Sequence, residues 1–230
     1  MQDVRNLLQD RAPTAPFTYV VTINADHLVR LDRADTALRA IYDAAWLSLC
    51  DSRILRAGVA RRGYQLSVVT GSDLAQALFS HAISAQTRVS VIGSDAATIA
   101  ALRARYGLQA LFHHNPPMGF IKDDAAVDEA VAFVCAHPAQ YVFLCVGSPQ
   151  QEILAAKIAQ SGQATGVGLC VGAAIAFVAG TSKRAPLWVQ RAHIEWLHRL
   201  LLEPRRLWRR YLLGAWPLLA LLRRLPQAER

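Results

Sequence analysis

The stretch YVFLCVGSPQQ, residues 141–151, joins an apolar run to a polar turn and then to the start of a helix. Residues 141–146 have the pattern of a buried strand, because they are apolar and rich in β-branched and aromatic side chains. Gly147 and Ser148 end that strand. Pro149 is favoured at the first position of a helix, which we predict over Gln150 to Gln160. A strand that leads directly into a helix is typical of parallel sheets.

The same alternation recurs along the whole chain. Apolar runs predict five further strands, at Phe17–Ile23, Trp46–Cys50, Arg88–Ile92, Leu108–Phe112 and Val167–Val171. Helical periodicity predicts helices at Asp73–Ile83 behind an N-cap at Ser72, at Ala96–Tyr106 before Gly107, and at Asp124–Ala136. This order predicts an α/β fold with a doubly wound, mostly parallel, Rossmann-like sheet in a domain spanning residues 1–190.

Composition excludes several classes of protein. The 230 residues are 53% hydrophobic and 18% charged, which is enough apolar material for a full core and excludes disordered and fibrous classes. The N-terminus lacks the apolar region of a signal peptide, so we expect a cytoplasmic protein. No stretch reaches the roughly 20 apolar residues of a membrane-spanning helix. The four cysteines contain no C-x-x-C spacing and are expected to be reduced core thiols.

Residues 191–230 differ from the rest of the chain. They hold nine Arg against three Glu, which is +6 of the total net charge of +8. We predict a basic helical appendage that binds an anionic membrane surface, with its leucines at the bilayer interface and the protein peripheral on the inner face of the cell membrane. A basic module that binds lipid or nucleic acid without catalysis is the alternative. Nucleic acid would leave six leucines unexplained, so we expect none as a partner: Leu212, Leu213, Leu218, Leu219, Leu221 and Leu222.

Polar or glycine residues follow every predicted strand. In a parallel sheet these positions meet at the carboxyl edge, where ligands bind. Side-chain oxygens and glycine loops there suit a polyol or a nucleotide. The same residue types are also common helix caps and turns, so the pattern alone leaves both interpretations open. A nucleotide-dependent oxidoreductase is disfavoured because no G-x-G-x-x-G follows the first strand.

Several motifs together resemble the WecG/TagA/CpsF glycosyltransferase family (glycosyltransferase family 26). They are TINADH (22–27), TGSDL (70–74), PPMGF (116–120), GSPQQE (147–152), GAA (172–174), AG (179–180) and KRAPLWVQRAHIEWLHRLLLEPRRLWRRY (183–211). The resemblance implies an inverting transfer from a UDP-sugar donor, of the UDP-N-acetylmannosamine or UDP-glucose type, to a polyprenyl diphosphate-linked sugar. Such reactions build bacterial cell-surface polymers and exopolysaccharides.

The resemblance also implies roles for individual residues. Asp51, at the end of the second strand, is implied as the catalytic base; the residues alone favour a turn or N-cap residue there. The implied substrate-binding residues are Thr22, Asn24, Gln151, Arg199, Arg206 and Arg209. Three glycines of the motifs and strand ends are predicted to bind substrate with them: Gly71, Gly93 and Gly147. The three arginines are spaced by 7 and 3 residues, which favours one helical face for a diphosphate, although Pro204 interrupts the helix. The other interpretation is that these arginines only attract anionic lipid.

The motifs also bear on the donor and on metals. Ser67-Val68 and Gln150 stand where the family commonly has Glu-Arg and Lys, so a uronic acid donor is not expected. No Asp-x-Asp motif occurs in the chain. We therefore predict a reaction without metal or other cofactor, the UDP-sugar being a substrate. The oligomeric state stays open, and a homo-oligomer is compatible with the sequence.

Overall fold

The described residues build one sheet in which all six strands run parallel. The structure is a computed structural model, and it describes residues 1–182 and 216–228. The strands are β1 (Thr18–Ile23), β2 (Leu47–Cys50), β3 (Val89–Ile92), β4 (Leu111–His114), β5 (Tyr141–Leu144) and β6 (Val167–Cys170). They lie in the order β2-β1-β6-β5-β3-β4. The predicted Rossmann-like class is confirmed, and the sheet is parallel throughout these strands.

Helices precede the first strand, connect successive strands and follow the last strand. They are α1 (Gln2–Asp10), α2 (Ala25–Arg33), α3 (Thr36–Asp43), α4 (Arg53–Ala60), α5 (Gly71–His81), α6 (Ala96–Tyr106), α7 (Asp124–Ala136), α8 (Gln150–Gln160) and α9 (Ala174–Ala179). A 3-10 turn covers Phe120–Lys122, and residues 216–224 form a further helix, called here the C-terminal helix.

Alternate side chains of each strand enter two cores on opposite faces of the sheet. Tyr141 and Phe143 of β5 belong to a core that includes residues of α1, α5, α6 and α9. Val142 and Leu144 of the same strand belong to a second core with residues of α3, α7 and α8. Because both faces of the sheet are covered, the strands are continuous apolar runs in the sequence. Those runs predicted the strands.

The fourth strand is shifted from its predicted position. The apolar run at Leu108–Phe112 is only partly strand, and β4 extends through His113 and His114, which pair with Val91 and Ile92 of β3. As the edge strand, β4 buries fully only its first residue and so tolerates two histidines. His113 and His114, which directly follow the predicted strand at Leu108–Phe112, are therefore strand residues.

The start of α5 also differs from the prediction. The N-cap is Thr70, whose Oγ1 accepts a hydrogen bond of 3.0 Å from the backbone N–H of Asp73. Ser72 lies inside the first turn, so its assignment as the cap was wrong. The sequence pattern also gives no prediction for α1–α4, because these short helices bury few side chains each; α1 buries only Leu8.

The C-terminal helix packs on the sheet domain. Leu218 and Leu222 are buried against Leu55 and Val59 of α4. These two leucines therefore contribute to the protein interior, which corrects their assignment to the bilayer interface. Leu219 remains exposed. The predicted boundary at residues 190 and 191, the arginines Arg199, Arg206 and Arg209, and the motif at 183–211 lie outside the described residues.

Two glycines with left-handed backbones give a paired test of the fold. Gly166 has φ of +88°, and a Cβ built there would lie 1.9 Å from the carbonyl oxygen of Ala139; Gly107 has φ of +61°, with no described atom within 4 Å of the same position. We expect Gly107→Ala to lower the free energy of unfolding by about 1–2 kcal/mol. Gly166→Ala should lower it by about 3 kcal/mol or more, since strain and a backbone clash combine.

Urea or guanidinium denaturation of both variants and the wild type measures this difference. Equal losses in the two variants would contradict the close approach of β6 to the segment before β5.

Candidate active site

The residues singled out by the sequence gather at the carboxyl edge of the sheet. Ile23 pairs with Cys50, and Val21 pairs with Cys170, so the ends of β2, β1 and β6 lie side by side. Leu144 pairs with Cys170, which places the end of β5 next to that of β6. Asn24, Asp51, Gly172 and the loop at Gly147 therefore share one edge, where a ligand is expected in a doubly wound fold.

Asp51 follows β2 directly and is half-buried. Its backbone N–H donates to the carbonyl of Ile23 at 2.7 Å, which continues the ladder between β1 and β2. Its carboxylate Oδ2 accepts a hydrogen bond of 3.4 Å from the backbone N–H of Gly71, at the start of α5. The N-cap of α4 is Ser52, whose hydroxyl accepts from Leu55, so the alternative interpretation of Asp51 as that cap does not hold.

Thr22 and Gln151 hold the end of β6 from its two sides. The Thr22 hydroxyl donates to the carbonyl oxygen of Cys170 at 2.9 Å. The Gln151 side-chain oxygen accepts from the backbone N–H of Gly172 at 3.1 Å. Both side chains are nearly inaccessible, with 5% and 3% of their surface exposed. In this conformation both side chains lie beneath the carboxyl edge and hold the backbone of Cys170 and Gly172 in place.

Asn24 caps α2 in a reciprocal arrangement. Its side-chain oxygen accepts from the backbone N–H groups of Asp26 and His27 at 3.0 and 3.3 Å. The ring Nδ1 of His27 accepts in turn from the backbone N–H of Asn24 at 3.0 Å. The alternative interpretation of a rim residue as a helix cap therefore holds for Asn24, and this capping box fixes the exit from β1.

The three glycines with predicted substrate-binding roles have different surroundings. A Cβ at Gly71 would lie 3.2 Å from Cα of Val171, and one at Gly93 would lie 2.9 Å from the carbonyl oxygen of Cys145. These two glycines allow close packing of neighbouring backbones. At Gly147, with φ of +82°, no described atom lies within 4 Å of that position.

Three side chains at the candidate site received no role from sequence reasoning. Glu152 is fully buried beside Gln151, and His27 is buried beneath the start of α2. His113 places its Nε2 3.1 and 3.2 Å from the carbonyl oxygens of Gly93 and Ser94, at the end of β3. The signal for Glu152 was its place in the GSPQQE motif. An acidic residue in a first helical turn is otherwise explained by the helix dipole, which conceals a buried role.

The structure gives two further findings on ligands and membranes. Within residues 1–182 and 216–228, no group of three His, Cys, Asp or Glu side chains is arranged to hold a metal ion. No helix in that part of the chain is long and apolar enough to cross a membrane.

Comparison with known proteins identifies the family. The model of the glycosyl transferase WecG/TagA/CpsF family matches residues 1–230. A relative from Bacillus spizizenii, strain ATCC 23059 / NRRL B-14472 / W23, named N-acetylglucosaminyldiphosphoundecaprenol N-acetyl-beta-D-mannosaminyltransferase, is 39% identical over 95 residues. That match covers 41% of this chain and 35% of the relative, so it spans about a third of the relative's length. With the family model matching every residue, the chain belongs to the WecG/TagA/CpsF family of glycosyltransferases.

Proposed function

We propose that this chain transfers an N-acetylhexosamine or hexose from a UDP-sugar to a sugar on a polyprenyl diphosphate, with inversion at the anomeric carbon. The observation that carries the proposal is the carboxylate of Asp51 at the carboxyl edge of the sheet, hydrogen-bonded to the first N–H of α5. The name of the Bacillus relative favours N-acetylmannosamine as the transferred sugar and N-acetylglucosamine on an undecaprenyl diphosphate as the acceptor.

The reaction assigns one proton transfer to Asp51. Its carboxylate takes the proton of the acceptor hydroxyl, and that oxygen attacks the anomeric carbon of the donor. The bond between this carbon and the diphosphate oxygen breaks, and UDP leaves with the electron pair. The N–H of Gly71, at the positive end of α5, orients the Asp51 carboxylate for this role.

The donor diphosphate is proposed to bind along the glycine-rich ends of β5 and β6. The loop at Gly147 is open where a side chain would stand, and Gly172 also has a left-handed backbone with φ of +57° and open space beside it among the described residues. Such backbones let a phosphate approach N–H groups closely. Arg199, Arg206 and Arg209 are proposed to neutralise the remaining negative charge of the diphosphate. The protein is proposed to lie on the inner, anionic face of the membrane.

A transfer assay tests the function as a whole. The full chain is incubated with synthetic polyprenyl diphosphate-linked N-acetylglucosamine and, in separate reactions, with radiolabelled UDP-N-acetylmannosamine, UDP-N-acetylglucosamine and UDP-glucose. We expect a lipid-linked disaccharide from one donor, with UDP-N-acetylmannosamine the first choice. No product from any donor, with intact folded protein, would contradict the proposal.

Replacing the base should separate catalysis from binding. In Asp51→Asn the amide oxygen can still accept from Gly71, but it cannot take a proton. We expect turnover to fall about 100-fold or more, with the dissociation constant for UDP within about threefold, because a general base contributes 10²- to 10⁴-fold. Asp43→Asn, at an exposed carboxylate in the last turn of α3, is the matched control and should keep wild-type turnover. Near-normal turnover in Asp51→Asn would remove Asp51 from the chemistry.

Metal independence is proposed because the chain has no Asp-x-Asp motif. We expect EDTA to leave the transfer rate within about twofold, since a metal ion that stabilises a leaving diphosphate contributes several kcal/mol and could not be removed silently. A rate that collapses in EDTA and returns with Mg²⁺ or Mn²⁺ would show that the reaction needs a metal.

The appendage arginines are proposed to act on the diphosphate as well as on the membrane. Single Arg→Glu changes at Arg199, Arg206 and Arg209 should lower the transfer rate by about 10-fold or more. Binding to anionic liposomes should change much less, because one surface charge contributes about 1 kcal/mol there. Arg105→Glu, in the last turn of α6 at the opposite edge of the sheet, is the control. If each variant loses activity only in proportion to its loss of liposome binding, the appendage acts as a membrane anchor and does not contact the diphosphate.

A further inference from the structure

A buried carboxyl lies directly beneath the candidate active site. Glu152, in the first turn of α8, has no solvent exposure. Its Oε1 accepts a hydrogen bond of 2.8 Å from the side-chain nitrogen of Gln151 and lies 4.0 Å from Nε2 of His27. Its second oxygen, Oε2, makes no hydrogen bond with the described residues. Burying a carboxyl oxygen without a hydrogen-bond partner costs free energy, so a buried glutamate at this position indicates a role.

The contacts of Glu152 connect the ends of three adjacent strands. The Gln151 side chain donates to Glu152 and accepts from the backbone N–H of Gly172, which follows β6. The His27 ring lies beside Glu152 and accepts from the backbone N–H of Asn24, which follows β1. Glu152 itself stands on α8, after β5. Because β1, β6 and β5 are neighbours in the sheet, one side chain is placed to set the relative positions of their carboxyl ends.

Charged and titratable groups face Glu152 from three other elements. They are His27 and Arg30 of α2, Tyr42 of α3 and Cys170 of β6. Burial raises the pKa of Glu152 from its ordinary value of 4.5, while Gln151, the Ser148 hydroxyl and the charge of Arg30 oppose the shift. The protonated carboxyl keeps Oε1 as an acceptor and carries the proton on its other oxygen. The hydrogen bond from Gln151 therefore does not depend on a negative charge.

We propose that Glu152 is a positioning residue: its Oε1 fixes the amide of Gln151, and through Gln151 the backbone N–H of Gly172, at the edge where transfer takes place. This inference rests on the proposed function for its effect on the reaction, while the hydrogen bonds themselves can be tested without it. Without the acceptor on Glu152, the Gln151 amide is free to rotate, and Gly172 loses the partner of its N–H.

Two substitutions at Glu152 separate positioning from charge. Glu152→Gln keeps an acceptor oxygen on a side chain of the same length, whereas Glu152→Ala removes the acceptor. We expect Glu152→Ala to lower kcat/KM for transfer by about 10- to 100-fold, as small misplacements of a reacting group do. Hydrogen exchange at the Gly172 amide should become at least about tenfold faster in the same variant. Glu152→Gln should restore most of both losses. Glu129→Gln, at an exposed carboxylate on α7, is the matched control.

The pH dependence of stability gives a readout that needs no substrate. Since the folded-state pKa of Glu152 is raised, the native protein holds this proton where the unfolded chain has lost it. Its stabilising effect is complete below about pH 4.5 and is lost as the pH rises through the raised pKa. Thermal melting should therefore show a decline over this range in the wild type and in Glu129→Gln that is smaller in Glu152→Gln. The difference between the wild-type and Glu152→Gln curves reports the titration of Glu152.

Several outcomes would overturn the proposal. Glu152→Gln as defective as Glu152→Ala would mean that a charge is needed. Wild-type kinetics and Gly172 exchange in Glu152→Ala would mean that nothing is positioned. Should Glu152→Ala fail to fold, Glu152→Asp, which withdraws the carboxyl by one methylene, must show the same losses or the proposal is wrong. If the wild type transfers no sugar but Glu152→Ala still frees the Gly172 amide, the proposed function fails and the positioning stands.

Discussion

The carboxyl end of β6 is held by two hydrogen bonds, and the arrangement of the candidate site depends on them. Thr22 donates to the carbonyl of Cys170 from β1, and Gln151 accepts from the N–H of Gly172 from the side of β5. Both partners are buried, so water competes little for these groups. Strand ends are otherwise free to fray. Here the central strand of the sheet ends in a backbone fixed from both sides.

That fixed backbone also sets the positions of the side chains and loops on either side of β6. Asp51 accepts a hydrogen bond from the first N–H of α5 on one side of the end of β1, while the loop at Gly147 lies beyond β6 on the other. In the proposed reaction, the base and the loop that binds the diphosphate must keep their separation for an in-line displacement to occur. The buried contacts of Glu152 with Gln151 and His27 lie between them and connect the two halves.

Sequence reasoning identified the fold because the buried strands are continuous apolar runs, and it located the edge because parallel strands deliver their ends together. It misplaced β4 because this edge strand includes His113 and His114, two polar residues that lie outside the apolar run. It could not separate Thr22 and Gln151 as buried anchors from residues that contact a ligand, since burial is set by elements distant in the chain. The contact of Leu218 and Leu222 with α4 was also missed, because an amphipathic helix suits a protein surface as well as a bilayer.

The most direct test of this account is a crystal structure of the full chain with UDP bound. The account predicts the diphosphate at the carboxyl ends of β1, β6 and β5, within about 3 Å of backbone N–H groups in the loops at Gly147 or Gly172. The carboxylate of Asp51 should face the space beside the diphosphate, and the hydrogen bonds of Thr22 and Gln151 should be retained. UDP bound at the amino edge of the sheet, or with Asp51 turned away from it, would contradict the account.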